Sequence, residues 1–140
     1  MRVEKPWGYE IIWAKTDKYV GKVLHINEGE ALSLQYHNHK DETILVKSGR
    51  IKVEYYWNYE DRTKMAVVNM CPGDVFHIQP GLCHRMIALQ DADVIEVSTP
   101  ELDDVVRIED RYGRVYEEPP PVRLSVFKRF AKWLNTIFRK

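Results

Sequence analysis

The stretch "LSLQYHNHKDETILVKSG", Leu32 to Gly49, sets Gln35, His37 and His39 at every second position, follows them with Glu42 and closes on Gly49. In extended chain, alternate side chains leave on opposite faces, so Gln35, His37 and His39 share one face while Leu34, Tyr36 and Asn38 take the other. A turn through Lys40-Asp41-Glu42 then brings Glu42 onto a neighbouring strand beside them. Neutral imidazole with carboxylate suits a divalent first-row metal, zinc foremost and manganese, iron, cobalt or nickel next. No cysteine lies near enough in this stretch for a structural zinc knuckle. Taken alone, the spacing fits two ordinary polar histidines on a strand as well.

A second stretch, "GDVFHIQPGLCHRM" from Gly73 to Met86, adds His84 three residues after Gly81. Its Pro80-Gly81 turn can set the strand entering His84 against the first histidine strand. The candidate ligand set is therefore Gln35, His37, His39, Glu42 and His84, with a coordination position left open.

Outward from these two segments, short runs of Ile, Val, Tyr and Trp alternate with turn residues at Gly21, "NEGE", "KSGR", "NYEDR", "CPGD" and "QPG". Such spacing predicts an all-β sandwich or barrel. Strands are expected near 9–14, 19–27, 32–37, 42–48, 50–58, 64–70, 75–79, 83–88 and 92–98. With 140 residues and 44% hydrophobic content, the chain is sized for one packed domain plus a tail. Lys+Arg and Asp+Glu balance at 21 each, which gives no electrostatic case for nucleic acid as a partner.

The two histidine segments resemble the signatures of the cupin superfamily. Gly29, His37, His39, Glu42 and Gly49 stand in the first signature, and Gly73, Pro80 and His84 in the second. The His39-to-Glu42 gap is one residue tighter than usual, and "QPG" stands where "PxG" is frequent. That tight gap is similar to the "LSLQxHxHRxEHW" segment of type II mannose-6-phosphate isomerases, including the isomerase domain of bifunctional mannose-1-phosphate guanylyltransferases. "VEKPWGYE" resembles the same family's entry segment and "DDVVRIEDRYGR" its closing one, so the likeness runs over about residues 3–114. Lys40 and Glu42-Thr43-Ile44 stand where that family has Arg and Glu-His-Trp.

The resemblance implies a single-domain jelly-roll cupin, commonly a homodimer, that binds a divalent metal and acts on a sugar phosphate. The implied reaction is aldose–ketose isomerisation through a metal-stabilised enediolate, which also needs a base within reach of a carbon-bound proton. Lys40 and His77 are the candidate bases, though a solvated lysine and a histidine satisfied at the barrel wall are the plainer readings of the two. Arg107 and Arg114 are the candidate phosphate contacts, because guanidinium binds phosphate bidentately; pairing with Glu109 and Asp110 is the alternative. Gln35-Tyr36-His37 resembles the Gln-x-His pair of the other isomerase class. Two further readings stay open: a non-catalytic sugar-binding cupin that partners a carbohydrate-biosynthesis enzyme, and a metal-dependent cupin oxygenase.

The cupin domain is expected over residues 1–116, with a proline-rich linker at 117–122 and a basic amphipathic helix at 123–140. In that helix Leu124, Phe127, Phe130, Ala131, Leu134, Ile137 and Phe138 share a face, while Lys128, Arg129, Lys132, Arg139 and Lys140 lie mostly elsewhere. It would pack on its own domain or a second subunit, lie on an anionic membrane surface, or stay disordered. Cys71 and Cys83 read as buried thiols of a reducing compartment. With neither a signal-peptide core nor a transmembrane-length run, the cytoplasm is the expected location.

Overall fold

The computed structural model describes residues 1–57 and 62–114. Eleven strands form within them: β1 (Arg2–Lys5), β2 (Gly8–Lys15), β3 (Val20–Ile26), β4 (Leu34–Tyr36), β5 (Glu42–Ser48), β6 (Ile51–Tyr56), β7 (Ala66–Met70), β8 (Val75–Ile78), β9 (Cys83–Ala88), β10 (Ala92–Ser98) and β11 (Val106–Glu109). They make a six-stranded sheet, ordered β1-β2-β3-β10-β5-β8, and a five-stranded sheet, ordered β11-β4-β9-β6-β7. Every strand pairing is antiparallel. The all-β, two-sheet jelly roll agrees with the sequence reading.

Period-two alternation decides what lies between the sheets. On β3, β5 and β10 the inward residues are Ile26 and Leu24, Val46 and Ile44, and Ala92 and Val94, all at most 2% exposed. From the facing sheet, Ile51, Val53, Met70 and Met86 complete one apolar cluster with them. Burying a side chain of this size stabilises the fold by roughly 1.5–3 kcal/mol. The same inward series then turns charged on three adjacent strands: Leu24 gives way to Lys22 and Val94 to Glu96, which stand opposite each other, and Ile44, opposite Glu96, gives way to Glu42 one inward position further along. An apolar plug therefore fills one end of the jelly roll, and a polar layer lies above it.

Tight turns join the strands. Gly49, between β5 and β6, has φ +75°, and a Cβ there would lie 2.0 Å from the Asp91 carbonyl oxygen. No other residue type fits that turn without displacing the Asp91 backbone.

Two strands escape the sequence reading. β1 and β11 are four residues each and carry as many charged as apolar residues, or more, so neither shows a readable apolar face. The strand expected at 32–37 is shorter, ending at Tyr36. Beginning past Arg114, the linker and C-terminal helix expected at 117–122 and 123–140 lie outside the described residues. No helix among the described residues is long and apolar enough to cross a membrane.

Candidate metal centre and cavity

Three of the candidate ligands meet in space. His37 follows the last residue of β4, Glu42 opens β5, and His84 lies on β9 opposite Gln35 of β4. The Pro-Gly turn anchors this junction, since the Gly81 N–H donates to the His37 carbonyl at 2.7 Å. Glu42 Oε1 stands 3.4 Å from His37 Nε2 and 3.3 Å from His84 Nε2. All three side chains are buried, and one donor atom from each lies within 4.8 Å of the others.

Proton placement bears on what such a cluster can hold. His37 Nδ1 donates to the Asp104 carbonyl, and His84 Nδ1 donates to the Leu82 carbonyl at 3.0 Å. With its one proton so used, each neutral imidazole turns a bare Nε2 lone pair toward Glu42. Both Nε2 atoms are buried and find no hydrogen-bond partner among the described residues. Buried polar atoms are rarely left so. Two lone pairs and a carboxylate oxygen facing one point fit a cation, and imidazole oriented by a carbonyl is the usual support of a ligating histidine.

Lys40 supports the other side of Glu42. Its ammonium is buried and donates to Glu42 Oε2 and, at 2.7 Å, to Glu96 Oε1. Burial disfavours its charge, but the carboxylates of Glu96 and Glu42 outweigh that and hold its pKa above the ordinary lysine value. Burial likewise works against ionised Glu42. Donation from His37 and His84 whenever an Nε2 carries a proton, together with the charge of Lys40, prevails and keeps this carboxyl well below its usual range.

A cavity of about 560 Å³ opens over this layer, lined by Gln35, His37, Lys40, Glu42, Glu96 and Arg107 among others. Its volume lies within the ~300–1,000 Å³ usual for small-molecule sites. Arg107 pairs with Gln35 between β11 and β4. Its Nε is buried without a hydrogen bond, and its guanidinium forms no ion pair among the described residues. Arg114 also lines the cavity, but its Nε and Nη2 donate to Asp110 at 3.0 and 2.7 Å.

The other residues singled out from the sequence sit elsewhere. His39 is on the turn after β4 and does not join the cluster, because the Asp104 carboxylate takes its N–H at 2.6 Å and draws the chain out of strand geometry. Gln35 lines the cavity, and its Oε1 accepts from Ser33 at 2.6 Å. His77 pairs with Thr43 across the β8–β5 ladder, while Ile78 pairs with Glu42. Adjacent residues face opposite ways, so His77 is outside the jelly roll, bonded to Asp41 at 2.7 Å and half exposed. It cannot serve the cavity as a base, and Lys40, ion-paired and held charged, is no base at neutral pH either. Lys22, Glu96 and Glu10 line the same cavity. Lys22 and Glu96 share inward parity with Leu24 and Val94, and Glu10 pairs with Leu24 across the β2–β3 ladder, but charges on a strand read first as a solvated face.

A family model described as mannose-6-phosphate isomerase C-terminal matches residues 1–110. A mannose-1-phosphate guanylyltransferase of Escherichia coli (strain K12) is 36% identical over 119 residues, covering 81% of this chain and 23% of that protein. The chain thus spans less than a quarter of the length of the curated relatives it matches first. Among solved structures, KdgF from a Halomonas species aligns with TM-score 0.62 at 22% identity, over 74% of this chain and 91% of that one. The capsular polysaccharide assembling protein CapF of Staphylococcus aureus aligns with TM-score 0.65 at 20% identity, over 79% of this chain and 34% of that one. These likenesses agree on a cupin fold.

Proposed function

Starting from a chain that belongs to the mannose-6-phosphate isomerase C-terminal family, we propose a metal-dependent cupin that interconverts an aldose phosphate and its ketose, with mannose 6-phosphate as first candidate. The observation carrying this reading is the convergence of His37 Nε2, His84 Nε2 and the Glu42 carboxylate at a cavity that also holds the Arg107 guanidinium, which has no ion pair among the described residues. His37, Glu42 and His84 would hold the cation, with Gln35 the nearest candidate for a further oxygen donor. A divalent metal bound there supplies Lewis acidity toward substrate oxygens.

The chain's own residues account for the rest. Arg107 would fix the phosphate through paired N–H donors and set the sugar's direction in the cavity. Lys40 neutralises Glu42 from behind and adds positive potential where negative charge develops. Glu96 is assigned as the base: Lys40 donates to its Oε1 and Lys22 stands 3.8 Å from the same oxygen, while Oε2 has no partner among the described residues. That oxygen can take a carbon-bound proton and return it to the adjacent carbon.

The test is metal analysis of the purified chain followed by an assay for conversion of mannose 6-phosphate to fructose 6-phosphate. One bound metal with turnover that disappears in Glu96→Gln supports the reading; bound metal without turnover of any hexose phosphate removes the isomerase claim. A second reading, a sugar-binding module that partners a separate nucleotidyltransferase, draws on the small share of the guanylyltransferase relatives that this chain covers. Pull-down of such an enzyme by a cupin inactive on its own would favour it.

A further inference from the structure

The polar layer continues past Glu96. Lys22 stands directly opposite Glu96 on the β3–β10 ladder, and Glu10 lines the same cavity from β2. Lys22 Nζ is 3.8 Å from Glu96 Oε1 and 3.7 Å from Glu10 Oε2, beyond direct hydrogen-bond reach in both directions. The other Glu10 oxygen, Oε1, faces Lys5 Nζ at 3.3 Å. Lys22 is only 9% exposed, yet these two long ion pairs are the contacts its ammonium makes among the described residues. An ammonium brings three donors and a carboxylate about four acceptor sites. Here they lie inside the fold, held close by charge, with Lys22 short of a direct partner on the cavity wall.

A pair kept only for stability would close to direct contact, and apolar side chains at these positions would often stabilise the fold as well or better. Gaps of 3.7 and 3.8 Å instead leave an ammonium and two carboxylates ready to share a bridging oxygen. A hydroxyl suits that place, because it can accept from Lys22 while donating to a carboxylate. A run of hydroxyls matches a row in which acid and base alternate: Glu10, Lys22, Glu96, Lys40.

We propose that Lys22, flanked by Glu10 and Glu96, forms a polyol-reading subsite that binds the non-reacting hydroxyls of the substrate between the cation centre and the far end of the cavity. This rests on the sugar-phosphate reading above and adds to it the residues that distinguish a sugar phosphate from phosphate alone. Lys22 and Glu10 act here as binding residues, separate from the proton transfer assigned to Glu96.

The experiment is calorimetric titration of the zinc-loaded full chain with mannose 6-phosphate and with inorganic phosphate, for the natural chain and Lys22→Met. The subsite predicts tighter binding of mannose 6-phosphate than of inorganic phosphate by the natural chain. It further predicts that Lys22→Met weakens mannose 6-phosphate at least tenfold, leaving inorganic phosphate within twofold and zinc content unchanged. Equal mannose 6-phosphate binding by Lys22→Met overturns the subsite and leaves a water-bridged structural ion pair; so does a natural chain that binds both ligands alike. If Lys22→Met fails to fold or loses zinc, Glu10→Gln at the end of the row decides by the same criteria. Binding that depends on Lys22 without any turnover would sustain the subsite while removing the isomerase reading, and turnover insensitive to Lys22 would do the reverse.

Discussion

Lys40 Nζ lies 2.7 Å from Glu96 Oε1 on β10 and also donates to Glu42 Oε2 on the adjacent β5, so a single buried ammonium joins a candidate metal ligand to the candidate base. Lys40→Met would strand two carboxylates that are 3% and 4% exposed. Breaking a buried ion pair from one side is expected to destabilise by about 3–5 kcal/mol, read as a lowered urea midpoint. The pH dependence has a definite sign. A lysine whose folded-state pKa lies above its ordinary 10.5 adds stability that is fully present below 10.5 and is lost as pH rises through the folded value. Alkaline unfolding curves should show that loss in the natural chain and a smaller one in Lys40→Arg, whose guanidinium stays charged.

Metal binding should follow the geometry rather than the HxH spacing. His37→Ala and His84→Ala are each expected to abolish stoichiometric zinc, measured by elemental analysis after dialysis, whereas His39→Ala should keep it. The natural chain should melt at a higher temperature with zinc than after chelation, by the equivalent of roughly 2.7 kcal/mol when free zinc is one-hundred-fold above its Kd. Retention of zinc by His84→Ala would show that the cluster is not the binding site.

Arg107 is expected to act on binding more than on chemistry. Arg107→Ala should raise KM for mannose 6-phosphate by roughly tenfold or more, the loss of about 1.4 kcal/mol or more of charge-assisted hydrogen bonding, with a smaller change in kcat. Arg107→Lys should recover only part of this, since an ammonium lacks the two-pronged fork. Arg114→Ala, whose guanidinium is already taken by Asp110, should change KM far less.

Much of this architecture is legible in the order of residues. Alternation marks β3, β5, β9 and β10, and the spacing of His37, Glu42 and His84 survives into the buried cluster because strands and a Pro-Gly turn transmit it directly. What alternation does not carry is which face is inside. His77 shares parity with Val75, as expected, but that parity is the outer one, fixed only by the pairing of Ile78 with Glu42. Lys22, Glu96 and Glu10 escape for the converse reason: a charge between apolar residues reads as solvent-facing until ladder register turns it inward. The departure of His39 depends on Asp104, more than sixty residues downstream, a contact no local pattern announces.

Asp104 leads to the last prediction. Its carboxylate accepts from the backbone N–H groups of Asn38, His39 and Lys40 at 3.0, 2.6 and 2.9 Å and from Asn38 Nδ2 at 3.2 Å, while its carbonyl receives the His37 Nδ1 proton. One residue thus shapes the turn and orients the ligand at its start. Partial burial opposes the charge, but the N–H groups of Lys40, His39 and Asn38 outweigh it and hold the carboxyl below its ordinary 3.8. A depressed carboxyl contributes stability that is fully present above 3.8 and fades as pH falls through the folded-state value. Asp104→Ala should therefore cost about 2 kcal/mol at neutral pH, the order of a few charge-assisted hydrogen bonds partly replaced by water, and should flatten the acid limb of the stability curve. The carbonyl that holds His37 Nδ1 survives this substitution, but the carboxylate that fastens its segment to the turn does not, so drift of that carbonyl should also weaken zinc, by no more than the roughly 10–100-fold usual when a ligand's supporting group is lost outright. Urea unfolding and competitive zinc titration measure both effects, with Asp17→Ala, an exposed aspartate remote in sequence, as control. A loss of stability with zinc affinity intact would mean that the turn holds the fold without aiming His37.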